Sequence, residues 1–230
     1  MFFAFFLCCI SLYWHSNSQI QYTDTAKINP KRFLITNSAI GSISVSSIIG
    51  LQQLWYSNDE DASFHFFDDS KNWLQMDKYG HAMSSYELTR LMNQAYRWSG
   101  LSKNKSMIIS ASISFGYLSA IEIMDGYSPN WGFSWSDMGA NLMGTSLFLF
   151  QEKYFLKQIF QPKFSFHPTP YSEIRPEVLG QNLAESILKD YNGQSYWISF
   201  SPGHLGISAW PKWLMLSLGH SIDGRLKGNS

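Results

Sequence analysis

The chain has 230 residues, enough for one domain with a substantial core, and a formal net charge of zero. The basic residues are scattered along the sequence, so we expect no nucleic-acid partner. Only 15% of residues are charged while 17% are aromatic, whereas about a quarter are charged in an average soluble domain. This imbalance indicates contact with a membrane or its surface.

The first predicted element is an apolar block from Phe2 to Trp14. Two serines follow at positions −3 and −1 of a signal-peptidase site before Gln19, which predicts a signal peptide over residues 1–18. An uncleaved N-terminal anchor would have a similar composition, so both interpretations stay open. The only cysteines, Cys8 and Cys9, lie inside the block without the small residues that usually precede a lipid-attachment cysteine, so we do not expect lipidation.

A long uncharged stretch from Phe33 to Asn58 predicts the next helix. It would be roughly 39 Å long at 1.5 Å per residue, which is enough to cross a bilayer. A ridge of small residues recurs along it at every fourth position, and such a ridge suits close packing against another helix: Ser38, Ser42, Ser46 and Gly50. A membrane span and a central helix of a soluble bundle are both compatible with this pattern.

Three further helices are predicted. Apolar residues spaced for one face favour a helix from about Met76 to Gly100, and the uncharged stretch from Ser106 to Ile121 predicts another. The latter contains a second ridge of small residues: Ser112, Gly116 and Ala120. The last helix begins near Ser134, where Ser134 and Asp137 form an S-x-x-D capping box. Its ridge of small residues comprises Ala140 and Gly144.

Beyond Pro162 the pattern changes to prolines and turn residues. A short helix is predicted around 177–189, and two strands are predicted over 195–201 and 211–220. The sequence therefore predicts a mainly α fold, a bundle of about four to five helices over residues 19–162. A short C-terminal extension containing the β-strands, residues 163–230, is expected to pack on this core.

Polar residues mark the boundaries of the last three predicted helices in three pairs: Asp77 with His81, Glu122 with Asp125, and Asp137 with Asn141. The members of each pair are three or four residues apart and therefore share a helix face. Because consecutive helices of a bundle alternate in direction, the three pairs are expected to converge at one end of it.

Each of these residues also has a purely structural explanation. Asp77 and Asp137 can complement helix N-termini, His81 and Asn141 can be satisfied interior residues, and Asp125 can belong to a turn. Glu122 is the hardest to explain in this way, although it can be a surface carboxylate at a helix end. It follows an uncharged helix and lies between two isoleucines, where an unpaired buried carboxylate is costly.

The order of these motifs resembles the VanZ-like family: D-K-x-x-H from Asp77 to His81, E-x-x-polar from Glu122, and D-x-x-x-N-x-x-G from Asp137 to Gly144. Asp125 stands where VanZ-like proteins more often have glutamine. The stretches LQMDKYGHA, IEIMDGYSPNWGFSWSDMGAN and KDYNGQSYW are more similar to an uncharacterised family of bacterial envelope proteins, the YfiM-like predicted periplasmic lipoproteins. This second resemblance covers Trp55 to Gly224. The resemblances imply a periplasmic, membrane-associated location and a helical core with a polar cluster, but no established reaction.

Two function hypotheses follow. The first is a non-catalytic envelope protein, a helical scaffold or binding protein at a membrane whose polar cluster ties three helices together. The second is an enzyme acting on a lipid or cell-wall precursor, with Glu122, His81 and Asp137 as candidate catalytic residues. The candidate ligand-binding residues are Asp77, Lys78, Asp125 and Asn141. A sealed cluster would favour the first hypothesis, and a cleft that reaches the cluster would favour a ligand or substrate.

A metal site made of His81, Glu122, Asp125 and Asp137 is a weaker hypothesis, because no H-x-x-x-H or H-x-x-E-H spacing supports it. No G-x-S-x-G sequence indicates a serine nucleophile. We therefore expect no metal and no cofactor. The expected partners are a membrane or an envelope lipid, and an envelope protein.

Overall fold

The computed structural model describes residues 27–53 and 62–228, and the predicted signal peptide or anchor lies outside them. Four long helices dominate the described residues: α1 (Pro30–Leu51), α2 (Met76–Trp98), α3 (Lys103–Asp125) and α4 (Trp135–Tyr154). A small sheet and short helices follow them. The prediction of a mainly α fold with strands in a C-terminal extension is confirmed.

The helix starts follow from local sequence. Asn29 caps α1 by accepting a hydrogen bond from the backbone N–H of Arg32, and Pro30 occupies the first turn, where no N–H is needed. Ser134 caps α4 by accepting from the backbone N–H of Asp137. This is the serine half of the predicted capping box. The Asp137 carboxylate points instead into the polar site described below.

The bundle is built around α2, which packs against both α3 and α4. Gly144 of α4 lies against α2 so closely that a Cβ atom at this position would overlap the Ala82 carbonyl oxygen. Successive contacts between the two helices advance in the same direction, from His81 with Asn141 to Tyr86 with Phe148, so α2 and α4 are parallel. The α3 helix runs antiparallel to both.

The apolar core lies between α2 and α3, and α1 covers one side of it. Its buried members are Leu88, Met92, Tyr96, Leu101 and Leu118, with Phe33 and Ile40 of α1 packed against them. Thr36 is the buried residue of α1 and donates to the Ala95 carbonyl oxygen. Both α1 and α3 are long and apolar enough to cross a membrane by length and composition.

Two of the predicted ridges of small residues do not form helix contacts within the described residues. On α1, Ser38, Ser42 and Ser46 are exposed. On α3, the predicted ridge faces outward at Ser112 and Gly116, and the buried small residues are instead Ser106, Ser110 and Ser114. The spacing of four was therefore right for α3, but the packed face is a different one. The Ala140 and Gly144 ridge of α4 is buried as predicted.

The extension contains a three-stranded antiparallel sheet with the order β1 (Gln161–Phe166), β2 (Gln194–Phe200) and β3 (Leu216–Ser221). Between β1 and β2 lie three short helices: α5 (Tyr171–Ile174), α6 (Pro176–Leu179) and α7 (Leu183–Lys189). They replace the single helix predicted around 177–189, because Gly180 has a positive φ of 105° and breaks it.

Two strand predictions need correction. Residues 211–215 form a turn, in which the Leu214 N–H donates to the Pro211 carbonyl oxygen, so β3 begins only at Leu216. The first strand, β1, was not predicted because Pro162 argues against a central strand. Pro162 is tolerated because β1 is an edge strand of this sheet and pairs only with β2.

The extension packs on the first turns of α2. Tyr79 stacks on Tyr196 of β2 at 6.2 Å between ring centroids and contacts His220 of β3 at 4.8 Å. Gly80 permits this approach, since a Cβ atom there would lie 2.9 Å from the Tyr196 hydroxyl. The sheet is thereby held beside the end of the bundle where α2 begins.

Candidate functional site

The polar residues at the start of α2, the end of α3 and the start of α4 meet at one end of the bundle. A left-handed turn precedes α2, with positive φ angles of 50°, 49° and 66° at Trp73, Leu74 and Gln75. Non-glycine residues adopt this conformation at a cost, which the surrounding contacts must offset. This turn leads directly into Asp77 and Lys78, which open α2 inside the polar cluster.

Lys78 lies among three carboxylates. Its ammonium is 2.6 Å from Asp69 Oδ2, 2.6 Å from Asp137 Oδ1 and 3.1 Å from Asp77 Oδ2, and its side chain is 12% exposed. Asp69 also accepts hydrogen bonds from Ser134 and Ser136 near the start of α4. The lysine thus links the loop before α2, α2 itself and α4 through ion pairs.

His81 lies on the next turn of α2 and faces carboxylates on both sides. Its Nε2 is 3.7 Å from Asp77 Oδ1 and 3.9 Å from Asp137 Oδ1, and its Nδ1 is 3.4 Å from Glu122 Oε1. Asn141 Oδ1 is 3.2 Å from the same Nδ1 and accepts a hydrogen bond from it when the ring is charged. The imidazole therefore connects the polar residues of all three helices.

Burial and charge change the pKa values of this cluster. Burial alone would lower the pKa of His81, but the charges of Asp77, Asp137 and Glu122 outweigh it and raise that pKa to about 9. Burial raises the pKa of Glu122 to about 8, against the opposing charge of His81. Burial likewise raises the pKa of Asp137 to about 7. Such groups are characteristic of functional sites, although structural ion pairs shift pKa values too.

The other two carboxylates stay ionised. Burial opposes ionisation of Asp69, but hydrogen bonds from Lys78 and Ser134 lower its pKa to about 2. For Asp77 the opposing effect of burial is overcome by the charges of His81 and Lys78 and by a hydrogen bond from Tyr191, which lower its pKa. The cluster thus combines carboxyl groups whose pKa values are lowered with carboxyl groups whose pKa values are raised.

A cavity of about 190 Å³ reaches the cluster between α2, α3 and the extension. Asp77 and His81 form its polar corner, together with Tyr191, Gln194 and Tyr196 from the extension. The Tyr191 hydroxyl donates to Asp77 Oδ1 at 2.8 Å. The remaining walls are mostly apolar: Leu51, Leu118, Ile121, Phe164, Ile187 and Leu188. The cluster is therefore not sealed, and one corner of it faces a space that can hold a small molecule.

Six of the seven predicted site residues join this cluster by direct contacts: Asp77, Lys78, His81, Glu122, Asp137 and Asn141. Asp125, the last residue of α3, affects the cluster through its charge, which raises the pKa of Glu122. The structure adds Asp69, Tyr191, Gln194 and Tyr196. Contacts between residues far apart in the sequence bring these four to the site. Tyr191, Gln194 and Tyr196 lie in the stretch KDYNGQSYW, which carries the family resemblance, but nothing in it indicated a place at the polar site.

The donor atoms of Asp77, His81 and Asp137 lie within 4.8 Å of one another, a grouping that could hold a metal ion. This set differs from the one considered from the sequence, because it includes Asp77 and omits Glu122 and Asp125. The ammonium of Lys78 is 2.6 Å from Asp137 Oδ1, so the protein already supplies a cation beside these donors. The proximity of these donor atoms alone does not favour a metal ion over the Lys78 ammonium as the cation that neutralises them.

These features define a mainly α protein with a charged, partly buried site. Residues 63–153, less than half of the chain, match the family model described as Predicted periplasmic lipoprotein (DUF2279). No curated protein and no solved structure matches the chain. The matched range contains all seven predicted site residues, but not the extension that closes the cavity. It supports an envelope family of the kind the sequence indicated, while the VanZ-like pattern stays an interpretation of motif order.

The predicted location, the bacterial cell envelope on its periplasmic side and associated with the membrane, is confirmed by this match. The family description also names a lipoprotein. Cys8 and Cys9 lie outside the described residues, so the expectation that neither carries a lipid stays a prediction.

The site makes stability depend on pH. Both His81 and Glu122 have higher pKa values in the folded chain than the ordinary 6.5 and 4.5. The stabilisation from such groups is complete below the ordinary pKa and is lost as pH rises through the folded value. Between pH 6.5 and 9 we expect the shift of His81 alone to cost about 3 kcal/mol, or roughly 6–12 °C in Tm.

Thermal unfolding followed by circular dichroism at several pH values measures this loss. The variant His81→Gln should reduce the loss over this range and leave the part that Glu122 contributes. A melting temperature of the unchanged protein that is constant or rises between pH 6.5 and 9 would contradict the assignment.

Proposed function

We propose that the chain is a membrane-associated binding protein of the bacterial envelope, whose cavity takes a small amphiphilic molecule. The observation that carries this proposal is the composition of the cavity, with Asp77 and His81 at one corner and apolar walls around the rest. Ligand sites in proteins are typically apolar clefts with a few convergent polar groups.

The charges indicate which polar end the ligand carries. Four carboxyl groups surround two cations, Lys78 and His81, and the Lys78 ammonium is already held by three of those groups. Asp77 remains ionised and faces the cavity, while the neighbouring His81 already lies beside Asp77, Asp137 and Glu122. A hydrogen-bond donor, and above all an amine, therefore suits this corner better than an anion.

The walls and volume indicate the apolar end. An engineered apolar cavity of about 150 Å³ holds a benzene molecule, and this cavity measures about 190 Å³. It can therefore take a short alkyl chain or one ring, with Leu118, Ile121 and Phe164 in contact with it. The expected ligand class is an alkyl or aryl amine, or the corresponding part of a larger envelope molecule.

Calorimetric titration with n-hexylamine, n-hexanol and n-hexanoate tests the proposal, because the three probes share one chain and differ in the polar end. We expect hexylamine to bind at least roughly tenfold more tightly than hexanoate, since a hydrogen bond to a charged group contributes about 1.5–3 kcal/mol. The variant Asp77→Asn should remove this preference. Ile187→Trp, which fills the cavity, should weaken all three probes.

The matched control is Glu173→Gln, which removes an exposed carboxylate of α5. It should leave all three affinities unchanged. Equal affinity for the three probes, or an amine preference that survives Asp77→Asn, would exclude the Asp77 corner as the polar end of the site.

A second candidate is an enzyme acting on a lipid or cell-wall precursor. It is favoured by the proximity of His81 and Glu122, two groups with pKa values of about 9 and 8 and 3.4 Å between Nδ1 and Oε1. Such a pair can pass a proton to or from a molecule in the cavity, because His81 forms part of the cavity wall. For an enzyme, Glu122→Gln should stop conversion of components of an envelope lipid extract while hexylamine binding persists. For a binding protein, no conversion occurs with either form.

A further inference from the structure

The end of the bundle opposite the polar site is strongly basic. There the start of α1, the end of α2 and the start of α3 come together, as shown by the Asn29 N–H donating to the Ser99 carbonyl oxygen at 3.0 Å. Arg32 lies over the Trp98 ring at 5.0 Å. We call this region the basic corner; its cations are Lys27, Lys31, Arg32, Lys103 and Lys105.

Within the described residues these cations have no acidic neighbours along the chain; Asp24, three residues before Lys27, lies outside them. Residues 27–53 and 88–121 contain no aspartate or glutamate, although the whole protein has equal numbers of acidic and basic residues. Four acids are gathered at the polar site, Asp69, Asp77, Glu122 and Asp137, whereas Glu87 and Glu152 lie elsewhere on α2 and α4. Although the net charge is zero, the charges are therefore unevenly distributed: cations are concentrated at one end of the bundle and carboxylates at the other.

Large apolar side chains are exposed among the cations. Leu34 is 67% exposed, Ile35 57% and Ile108 66%, and Trp98 is 42% exposed beside Arg32. Single exposed apolar residues are common on protein surfaces, but a group of them bordered by lysines is characteristic of surfaces that meet anionic lipid. Tryptophan in particular is enriched at the level of lipid headgroups.

We propose that the basic corner docks on an anionic lipid surface, with Trp98 and the neighbouring aliphatic side chains entering the headgroup region. Lysine and arginine charges attract anionic headgroups, and the apolar side chains leave water. The residues of the basic corner determine both the contact surface and the charge of the lipid. The docking does not depend on what the cavity binds.

The position of the chain's beginning supports the same orientation. Only 12 residues separate the end of the apolar block, Trp14, from Lys27, the first described residue of the basic corner. An apolar block that is not cleaved and stays in the membrane would therefore hold the basic corner against the bilayer. Between Asp77 and Trp98, α2 rises by roughly 32 Å at 1.5 Å per residue. The polar site then faces away from the membrane, towards the aqueous side.

Flotation of the full chain with vesicles tests the docking. The probes are vesicles of neutral phosphatidylcholine and vesicles with 30% phosphatidylglycerol, and the measured quantity is the ratio of the two partition coefficients. We expect the ratio to fall roughly 25-fold in Lys31→Ala/Lys105→Ala, since each basic residue near an anionic surface contributes about fivefold. The ratio should also fall as salt rises.

The control is Lys71→Ala/Lys227→Ala, which removes two exposed lysines outside the basic corner. It should change the ratio less than twofold. Equal losses in the two double variants, or no loss in either, would overturn the proposal, as would equal partition of the unchanged protein into both vesicle types. Circular dichroism confirms that each variant is folded.

Tryptophan quenching by brominated lipid gives a second readout. Trp98→Phe should remove a quenchable component of the fluorescence, whereas Trp135→Phe should not, because Trp135 is 69% exposed at the opposite end of the bundle. The reverse result would place the polar end on the membrane and overturn the proposal.

Discussion

Replacing Lys78 by methionine is expected to lower the free energy of unfolding by about 3–5 kcal/mol, the usual cost of removing one partner from a buried ion pair. The ammonium lies within 3.1 Å of oxygens from Asp69, Asp77 and Asp137. Without it, three neighbouring carboxyl groups would share a site that is largely closed to water. Natural domains are stable by about 5–15 kcal/mol in total, so this loss is a large fraction.

Urea denaturation of the purified protein at pH 7.5 measures the effect. The exposed Lys71 provides the control, and Lys71→Met should change stability by less than about 0.5 kcal/mol. Adding Asp69→Asn and Asp137→Asn to Lys78→Met should recover part of the loss, because it removes the uncompensated charges. A loss below 1 kcal/mol for Lys78→Met would show that the lysine is not needed to hold the cluster together.

Replacing Gly144 by alanine is expected to cost roughly 3 kcal/mol or more, at the upper end of what overpacking usually costs. The added Cβ atom would overlap the Ala82 carbonyl oxygen and lie 2.1 Å from the Ser85 hydroxyl oxygen. A backbone oxygen of α2 cannot rotate away as a side chain can, so α4 would have to move. The movement would also separate Asn141 from His81.

Gly139 is the matched control because it lies on the same helix with nothing within 4 Å of an added Cβ atom. Gly139→Ala should leave stability unchanged or raise it by up to about 1 kcal/mol through helix propensity. Thermal melts of the two variants compare the sites directly. Similar melting temperatures for Gly144→Ala and the unchanged protein would mean that α2 and α4 do not cross as closely as described.

The helices were predictable because their signals are local. The serine cap at Ser134, the stop at Gly100 and the long uncharged stretches each follow from a few neighbouring residues. The face on which a helix packs was less certain. On α3 the spacing of small residues occurs on two faces, and only the one with Ser110 and Ser114 meets α2.

The polar cluster was predictable from the alternation of helix direction. That rule alone brings the starts of α2 and α4 to the end of α3, and hence His81 to Glu122 and Asp137. The rule says nothing of the loop before α2 or of the extension. Asp69 and Tyr191 therefore escaped prediction, although both contact the predicted residues directly.

The cavity could not be predicted from the sequence for the same reason. Its walls come from segments as far apart in sequence as Leu51, Leu118 and Tyr196, and its shape depends on how the sheet settles on α2. β1, which supplies Phe164, was not predicted at all. Whether the cluster is open or sealed is decided by this packing and not by any motif.

The extension closes the cavity without belonging to the bundle. Tyr191 and Tyr196 form one side of the space, and their segment is joined to the helices mainly through side-chain contacts such as the bond from Tyr191 to Asp77. The helices that form the other side are fixed by their shared core. For the ligand proposed above, we therefore expect the residence time to depend on how often the sheet separates from α2. A change in the extension that leaves equilibrium affinity intact can still alter the rate of exchange.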